Sequence, residues 1–564
     1  MQIIKSLLTL PVFIVPFLLR AQTTYLPEGS KEYDIIDRLE IKDGTNHSLL
    51  FSGLKPYSRR FLVREAEFLD SARIAQSGPG GTGGPKGLNL TATDVYNLHC
   101  ILMDNQEWVS AGKPTFPSKH PVLTSFYTTP PNLLEVNTQD FFLALNPIVS
   151  FQAGGESAGH ETLFYNKRGI TARGRIAGKI GFSTTITDNQ ERDPLFVQER
   201  VDSFHAVPGV GFFKAFKTTG YDYFDARGYI TFNITKYIDV QYGYDKNFIG
   251  DGYRSLFLSD FSNAYLFLKL NTKIWKFNYQ NLFMELMPQF IKHGDVLLAR
   301  KYAAMHHLSM DVTRWLNLGV FESIIFGRKD IFDLEYLNPI IFLRHIEGTV
   351  GSPDNAFAGA DFKANVAHHV QFYGQLLLDE FILKQVFKKD GYWANKYGYQ
   401  LGVKYVDAFT VPNLDLQFET NRVRPFTYSH NDSVADYTHY DLPLAHPLGA
   451  NFQEFIGIVK YQPAAKWYLS GRLIYYYQGL DSAGQDFGSN PFEPYTARGM
   501  DFGYQVGSGR RINVVNGALT LSYEWKENLF LEGTYLFRKQ TGVTPTNMFE
   551  AGVRWNAARR DFDF

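Results

Sequence analysis

A single cysteine, Cys100, stands in a chain of 564 residues. No internal disulfide can form, and a thiol nucleophile would need His and Asn or Asp partners that nothing in the sequence singles out. Charge of one sign is missing as well: 56 Lys and Arg against 57 Asp and Glu leave a net charge of -1, which excludes the basic surface that nucleic acid demands. The one long apolar run lies within residues 1–21, and a mean hydropathy of -0.21 excludes a bundle of membrane helices. Catalytic and metal signatures are scarce. The stretch GPGGTGGPKG at 78–87 has the glycines of a phosphate loop, but Lys86 follows Pro85 and precedes Gly87, with no strand before it, so it reads as a flexible connector. In His306-His307 and His368-His369 the neighbours would point to opposite faces of a strand, so neither pair chelates, and solvated or girdle histidines are expected instead. No Gly-x-Ser-x-Gly is matched to a rim histidine. Charges of both signs at opposed strand positions suggest cross-linking rather than a pair of catalytic carboxylates. The chain is read as non-enzymatic, with no catalytic, cofactor or metal residues.

What the chain has in quantity is aromatic residues, 34 Tyr and 48 Phe, and aromatics make up 16% of it. Apolar or small residues, aromatics among them, recur at every second position. Leu529, Leu531, Gly533, Tyr535 and Phe537 alternate with residues that include Glu532, Thr534 and Arg538, and Phe549, Ala551, Val553 and Trp555 alternate with Glu550, Gly552 and Arg554. The same pattern runs through 238–245, 275–280, 397–405, 414–419 and 519–525. From Phe141 onward it predicts about eighteen strands of ~9–11 residues, the length a tilted strand needs to cross a bilayer. The expected fold is all-β and transmembrane: an antiparallel outer-membrane β-barrel whose polar residues line the lumen. A soluble sandwich or propeller would not place aromatics at strand ends or alternate loop lengths so regularly.

Short turns alternate with long segments at 188–227, 329–357, 422–452 and 478–513. At the short turns a basic residue precedes an aromatic, as in Lys236-Tyr237, Lys273-Ile274-Trp275, Arg314-Trp315 and Lys466-Trp467. These rings are expected to form a periplasmic girdle, with the long segments extracellular. Tyr475, Tyr476 and Tyr477 are assigned to the outer aromatic belt, and the terminal Phe564 to the exposed periplasmic end as a barrel-insertion signal.

Residues 1–21 read as a signal peptide, with Lys5 near the start, an apolar core and Leu19 and Ala21 before Gln22. Residues 22–140 read as a helical periplasmic domain that seals the barrel of 141–564, with both termini periplasmic. Tyr33, Ile36, Leu39 and Ile41 sit at near-helical spacing, helices are expected over 57–75 and 93–110, and Thr91 and Asp94 have capping-box spacing. In the long loops, rings stand beside polar groups, which suits stacking on sugars: Phe426, Tyr428, Tyr437 and Tyr440 in one loop, and Phe487, Phe492, Tyr495 and Arg498 in another. The alternative is that these rings pack the loops over the barrel mouth.

Two segments go beyond generic barrel character: GYDKNFIGDGYRSLFLSD at 243–260 and LEYLNPIIFLRHIEGTVGSPDNAFAGADFK at 334–363. On these, and on Leu26-Pro27-Glu28-Gly29-Ser30 with the helical patterns after it, the chain resembles the Wzi-like capsule assembly barrels, and among them the RemB-like gliding-motility group of Bacteroidota. The resemblance implies an 18-stranded barrel closed by a periplasmic helical bundle. It implies a role in binding or organising surface polysaccharide, or in adhesion and gliding, with outer-membrane lipid, capsular glycan and secretion or motility proteins as partners. A transport pore is the competing reading, and an outer-membrane glycan or lipid hydrolase a further one.

Overall fold

The computed structural model describes residues 23–45, 51–77, 88–110, 116–119, 121–123, 125–288 and 296–564. The expected signal peptide and the glycine-rich connector lie outside them. Eighteen antiparallel strands close into a barrel. They are β1 Phe141–Glu156, β2 Leu163–Ile176, β3 Ile180–Arg192, β4 Gly220–Asn233, β5 Ile238–Asp245 and β6 Tyr265–Ile274. Next come β7 Phe277–Leu286, β8 Lys301–Asp311, β9 Leu316–Phe326, β10 Asn355–Val366, β11 Val370–Leu378 and β12 Tyr397–Tyr405. The series ends with β13 Leu414–Val423, β14 Phe452–Ala464, β15 Trp467–Leu480, β16 Arg510–Lys526, β17 Leu529–Gln540 and β18 Thr546–Trp555. Each strand pairs with its sequence neighbour, and β18 closes on β1 from Trp555 opposite Val149 to Met548 opposite Glu156.

Period-2 geometry sets the two faces. Leu531, Tyr535, Phe549, Tyr242, Leu401, Phe418, Leu519 and Leu521 point out and are exposed, while Glu532, Glu550, Gln241, Gln400, Glu419 and Thr520 point in and are buried. Tyr237, Trp275, Trp315, Trp467 and Trp525 are exposed at the short-turn end, as a girdle requires. No helix among the described residues is long and apolar enough to cross a membrane. The same parity corrects one expectation: Tyr475 faces outward, but Tyr476, one residue on, is buried inside with Ile456, Ile474 and Val514.

The N-terminal unit contains α1 Glu32–Asp43, α2 Arg59–Ser77 and α3 Ala92–Asp104. Thr91 and Asp94 form the expected capping box at the start of α3. Leu39, Tyr57, Leu62, Val63, Leu69, Leu98 and Ile101 make its core. Gly44 ends α1 at φ 69°, and its N–H donates to the Glu40 and Ile41 carbonyls. It is also a contact point, because a Cβ there would meet the His368 ring at 2.6 Å, so only glycine satisfies both the turn and the approach.

The unit docks into the short-turn end by ion pairs. Asp37 meets Lys404 at 2.7 Å, Glu40 meets Lys363 at 2.8 Å, Lys42 meets Asp407 at 2.8 Å and Lys31 meets Glu524 at 2.6 Å. Arg38 bonds Asp94 in its own unit and reaches Asp407 and Asp415 of the barrel. Burial works against the Asp37 carboxyl, but Lys404 and Lys55 outweigh it and hold it at about 2. Asp407 is likewise held at about 2, its burial outweighed by Lys42 and Arg38.

Three segments fill the lumen. The loop 246–264 turns inward and pairs Phe248 and Ile249 with Lys55 and Leu54. It buries Leu256, Phe257 and Leu258 completely, with Phe257 stacked on Phe321 at 4.4 Å. Wall residues hold its backbone: Glu419 accepts from the Tyr253 and Arg254 N–H groups, and Gln375 from the Leu256 N–H. Gly252 sits so close that a Cβ would meet the Glu419 carboxylate at 2.6 Å. The loop 424–451 adds Tyr428, Tyr437, Leu444 and Leu448 to the same core. The third segment is the C-terminal tail.

That tail overturns the expectation for Phe564. After Trp555 the chain runs back up inside the barrel, and Phe564 is 5% exposed. It packs against Phe196 of α4 (Leu195–Phe204) and against Phe261, with the Arg200 guanidinium carbon 5.0 Å from its ring. Arg560 bonds Glu191 at 2.9 and 3.0 Å, Asp563 meets Arg254 at 2.9 Å, and Arg554 and Arg559 share Glu532. An aromatic C-terminus in a barrel with a charged lumen finds both its apolar contacts and its countercharges inside.

Candidate functional site

At the long-loop end, residues 379–396 and 481–509 form one platform. A short backbone ladder joins them: the Trp393 N–H donates to Asp501, Gly503 to Asp390 and Tyr504 to Gly391. A Cβ on Gly391, at φ 73°, would collide with Tyr504 backbone at 2.8 Å. The ladder sets the Trp393 and Tyr495 rings 4.8 Å apart and the Arg498 guanidinium carbon 3.8 Å over Trp393. Tyr392 lies 5.3 Å from Phe502, and Phe502 is 47% exposed. Asp501 holds Arg498 at 3.0 Å.

Lys396 supports this platform from below, its ammonium 4.7 Å from the Tyr495 ring. It is fully buried between Asp379 at 3.1 Å and Glu380 at 3.0 Å. Burial works against the ammonium, but the two carboxyls outweigh it and keep its pKa above the ordinary value. Burial also pushes Asp379 up to about 7 against the pull of Lys396. The lysine, with two acidic neighbours, is the member whose charge the site holds firmly. Glu380 is the exposed one of the pair, so the charge it carries can reach solvent.

The eight sequence candidates separate into four groups. Tyr495 and Arg498 are half-buried members of the platform. Phe426 and Phe487 lie beneath it, ringed around Tyr504 at 4.9 and 6.2 Å. Tyr428 and Tyr437 are buried in the lumen core, and their hydroxyls donate to the Leu256 and Phe257 carbonyls. Tyr440 packs on His439, and Phe492 on Phe204 of α4. Sequence reasoning missed Tyr392 and Trp393, because 379–396 was not counted among the long loops, and it passed over Phe502 within the long loop 478–513. Trp393, a tryptophan outside both the girdle pattern and the strands, was the available signal.

His306 and His307 are buried, against the expectation of solvated or girdle histidines, whereas His369 is exposed in the short turn between β10 and β11, as expected. His306 Nδ1 lies 2.8 Å from Glu322, and His307 Nε2 lies 2.7 Å from Asp361. His368 Nδ1 lies 3.0 Å from the Lys42 carbonyl of the N-terminal unit. Among the described residues no group of three His, Cys, Asp or Glu side chains could hold a metal.

A second concavity, a lumen cavity of about 680 Å³, is lined by Glu28, Lys167, Arg227, Lys246, Asp260, Arg472 and tail residues including Arg559 and Asp561. Burial, and the Glu28 carboxyl beside it, push Asp260 up to about 7.

Against known proteins, no family model and no curated sequence matches the chain. Solved structures do match. Wzi of Escherichia coli, described as an outer-membrane protein involved in group 1 capsule assembly and a carbohydrate-binding β-barrel, aligns at a TM-score of 0.55 and 13% identity, covering 96% of this chain and 100% of that one. OprD of Pseudomonas aeruginosa aligns at 0.41 and 11%, covering 73% of this chain and 94% of that one. At these identities the Wzi alignment speaks for the fold: a closed 18-stranded antiparallel barrel of the outer-membrane type.

Proposed function

We propose that the protein is a non-enzymatic outer-membrane barrel that binds surface polysaccharide on the platform of Trp393, Tyr495, Arg498 and Phe502. In this reading the long loops face outward, and the N-terminal unit faces the periplasm and closes the barrel there. The observation that carries it is the platform itself: half-exposed rings and a guanidinium held rigid by a backbone ladder between two loops. Aromatic faces stack on the apolar faces of sugars while Arg498, Asp501 and Glu380 meet hydroxyls or acidic groups. The likeness to a carbohydrate-binding barrel in fold supports the same reading.

The test is glycan-array binding by the intact protein and by Trp393→Ala and Tyr495→Ala. Aromatic anchors of an interface carry about 2 kcal/mol or more, so each variant should lose roughly 30-fold in affinity. Equal binding by all three would overturn the proposal. The finer reading, a RemB-like service to gliding or adhesion, predicts that deleting the protein impairs surface spreading. Transport is the second reading, favoured by the lumen cavity. A large, steady single-channel conductance in a planar bilayer would establish it over the first.

A further inference from the structure

The upper halves of β7, β8 and β9 break the rule of the barrel. Register places Asn281, His306 and Glu322 opposite one another on the outward face, the same face as the exposed Leu308, Leu318 and Val320. Three polar groups on a lipid-facing wall would be costly if bare. They are not bare. The segment 328–354 leaves the top of β9, folds down over the outside of the wall and returns to β10, burying Tyr336, Leu343 and Ile346 against Phe283, Tyr302, Ile324 and Phe326.

The polar wall residues bond the backbone of this strap. Asn281 Nδ2 donates to the Pro339 carbonyl at 3.0 Å, and Glu322 accepts from the Leu343 N–H at 2.9 Å while its other oxygen meets His306. Arg328 pins the root through two 2.6 Å bonds to Asp354, which also accepts from the Tyr336 hydroxyl at 2.7 Å. Asn281 is the fifth residue of β7. At ~3.4 Å per residue and a tilt of ~40° it lies ~10 Å above the girdle, inside an apolar band ~25 Å tall. The strap exposes large apolar side chains, Leu334 at 75%, Ile340 at 87% and Phe342 at 60%, with Glu335, Asn338, Arg344 and His345 exposed between and beside them.

We propose that this strap is a lipid-contact surface, immersed in the outer leaflet with Leu334, Ile340 and Phe342 against acyl chains. Irregular backbone survives at membrane depth only where its polar groups are satisfied by protein, and Asn281 and Glu322 do this for the Pro339 carbonyl and the Leu343 N–H. The polar wall and the apolar strap thus account for each other. A covering protein would also meet an apolar face, but the strap continues the band formed by Leu318 and Val320 on the same wall, whose partner is lipid. The inference rests on the outer-membrane reading, and the experiment separates the two.

Ile340→Cys and, as reference, Leu401→Cys on the plain wall of β12 are made in a Cys100→Ala background and labelled with an environment-sensitive fluorophore. The proteins are reconstituted into phosphatidylcholine vesicles with and without acyl-chain nitroxide. Both labels are expected to lose emission to the nitroxide to the same extent and to resist aqueous iodide. If Leu401 is quenched by nitroxide but Ile340 is quenched by iodide, or by neither agent, the strap is in water or under protein, and the proposal fails. If Leu401 itself is not quenched by nitroxide, the membrane reading fails and the strap with it. Phe342→Cys, labelled alike, must follow Ile340.

Discussion

Replacing Arg560 with methionine removes the cation that anchors the C-terminal tail to the wall. The guanidinium makes two bonds to Glu191, at 2.9 and 3.0 Å, lies 3.5 Å from Asp193 and donates to the Pro208 carbonyl at 2.9 Å. The Glu191 side chain is 0% exposed. Burial works against the guanidinium, but Glu191 and Asp193 outweigh it and raise its pKa well above the ordinary value. With Arg560 gone, Glu191 is left as a buried charge without its bidentate partner as long as the tail stays in place, at a cost of about 3–5 kcal/mol. Release of the tail lets water reach Glu191, so the cost falls on the docked state. At about 1.4 kcal/mol per tenfold, the population with a released tail rises at least ~100-fold. Amide hydrogen exchange followed by mass spectrometry reads this population, since peptides covering 556–564 exchange through the open state. They should exchange faster by that factor, while peptides from β17 do not change. Adding Glu191→Gln to Arg560→Met should restore much of the protection. If the single variant exchanges like wild type, or wild-type 556–564 exchanges like a free peptide, the tail is not held in the lumen by this pair.

Acid should undock the N-terminal unit only near the bottom of the pH scale. Asp37 and Asp407 titrate at about 2 in the folded protein, below the ~3.9 of an unfolded aspartate. Their contribution is therefore present in full above about pH 4 and lost as pH falls towards 2. Protease accessibility of 23–110 against pH checks this, and release between pH 5 and 7 would contradict it. Deleting Phe564 should leave barrel assembly intact, as read by heat-modifiable migration, because its ring packs on Phe196 and Phe261 rather than ending β18. The loss of a buried phenylalanine, about 3–5 kcal/mol, should appear locally as faster exchange in α4. Failed assembly would return Phe564 to the role of an insertion signal.

Strand number, barrel closure and the inward and outward faces were legible in the sequence because side-chain alternation is a local property: Leu531 and Glu532 declare their faces without reference to anything distant. The capping box of Thr91 and Asp94 was legible for the same reason. One further signal was present but unread. In β7 the alternation inverts, with Leu282, Met284 and Leu286 facing in and Asn281 and Glu285 facing out, which marks a lumen lined with apolar residues and an outer wall that something covers.

Where the long loops go was not legible. Tyr428 and Tyr437 look like Tyr495 in a one-dimensional reading, yet two are buried in the lumen and one lies on the platform. The difference depends on partners hundreds of residues away, such as Tyr437 reaching the Phe257 carbonyl. The fate of Phe564 depended likewise on Phe196 and Arg200. The sequence by itself determined a barrel with a helical N-terminal unit, since both follow from periodicity. Only the tertiary structure decided that loops and tail fill the lumen, that a strap covers the outer wall, and that Trp393, Tyr495 and Arg498 meet, because each depends on complementarity between segments that no local period records.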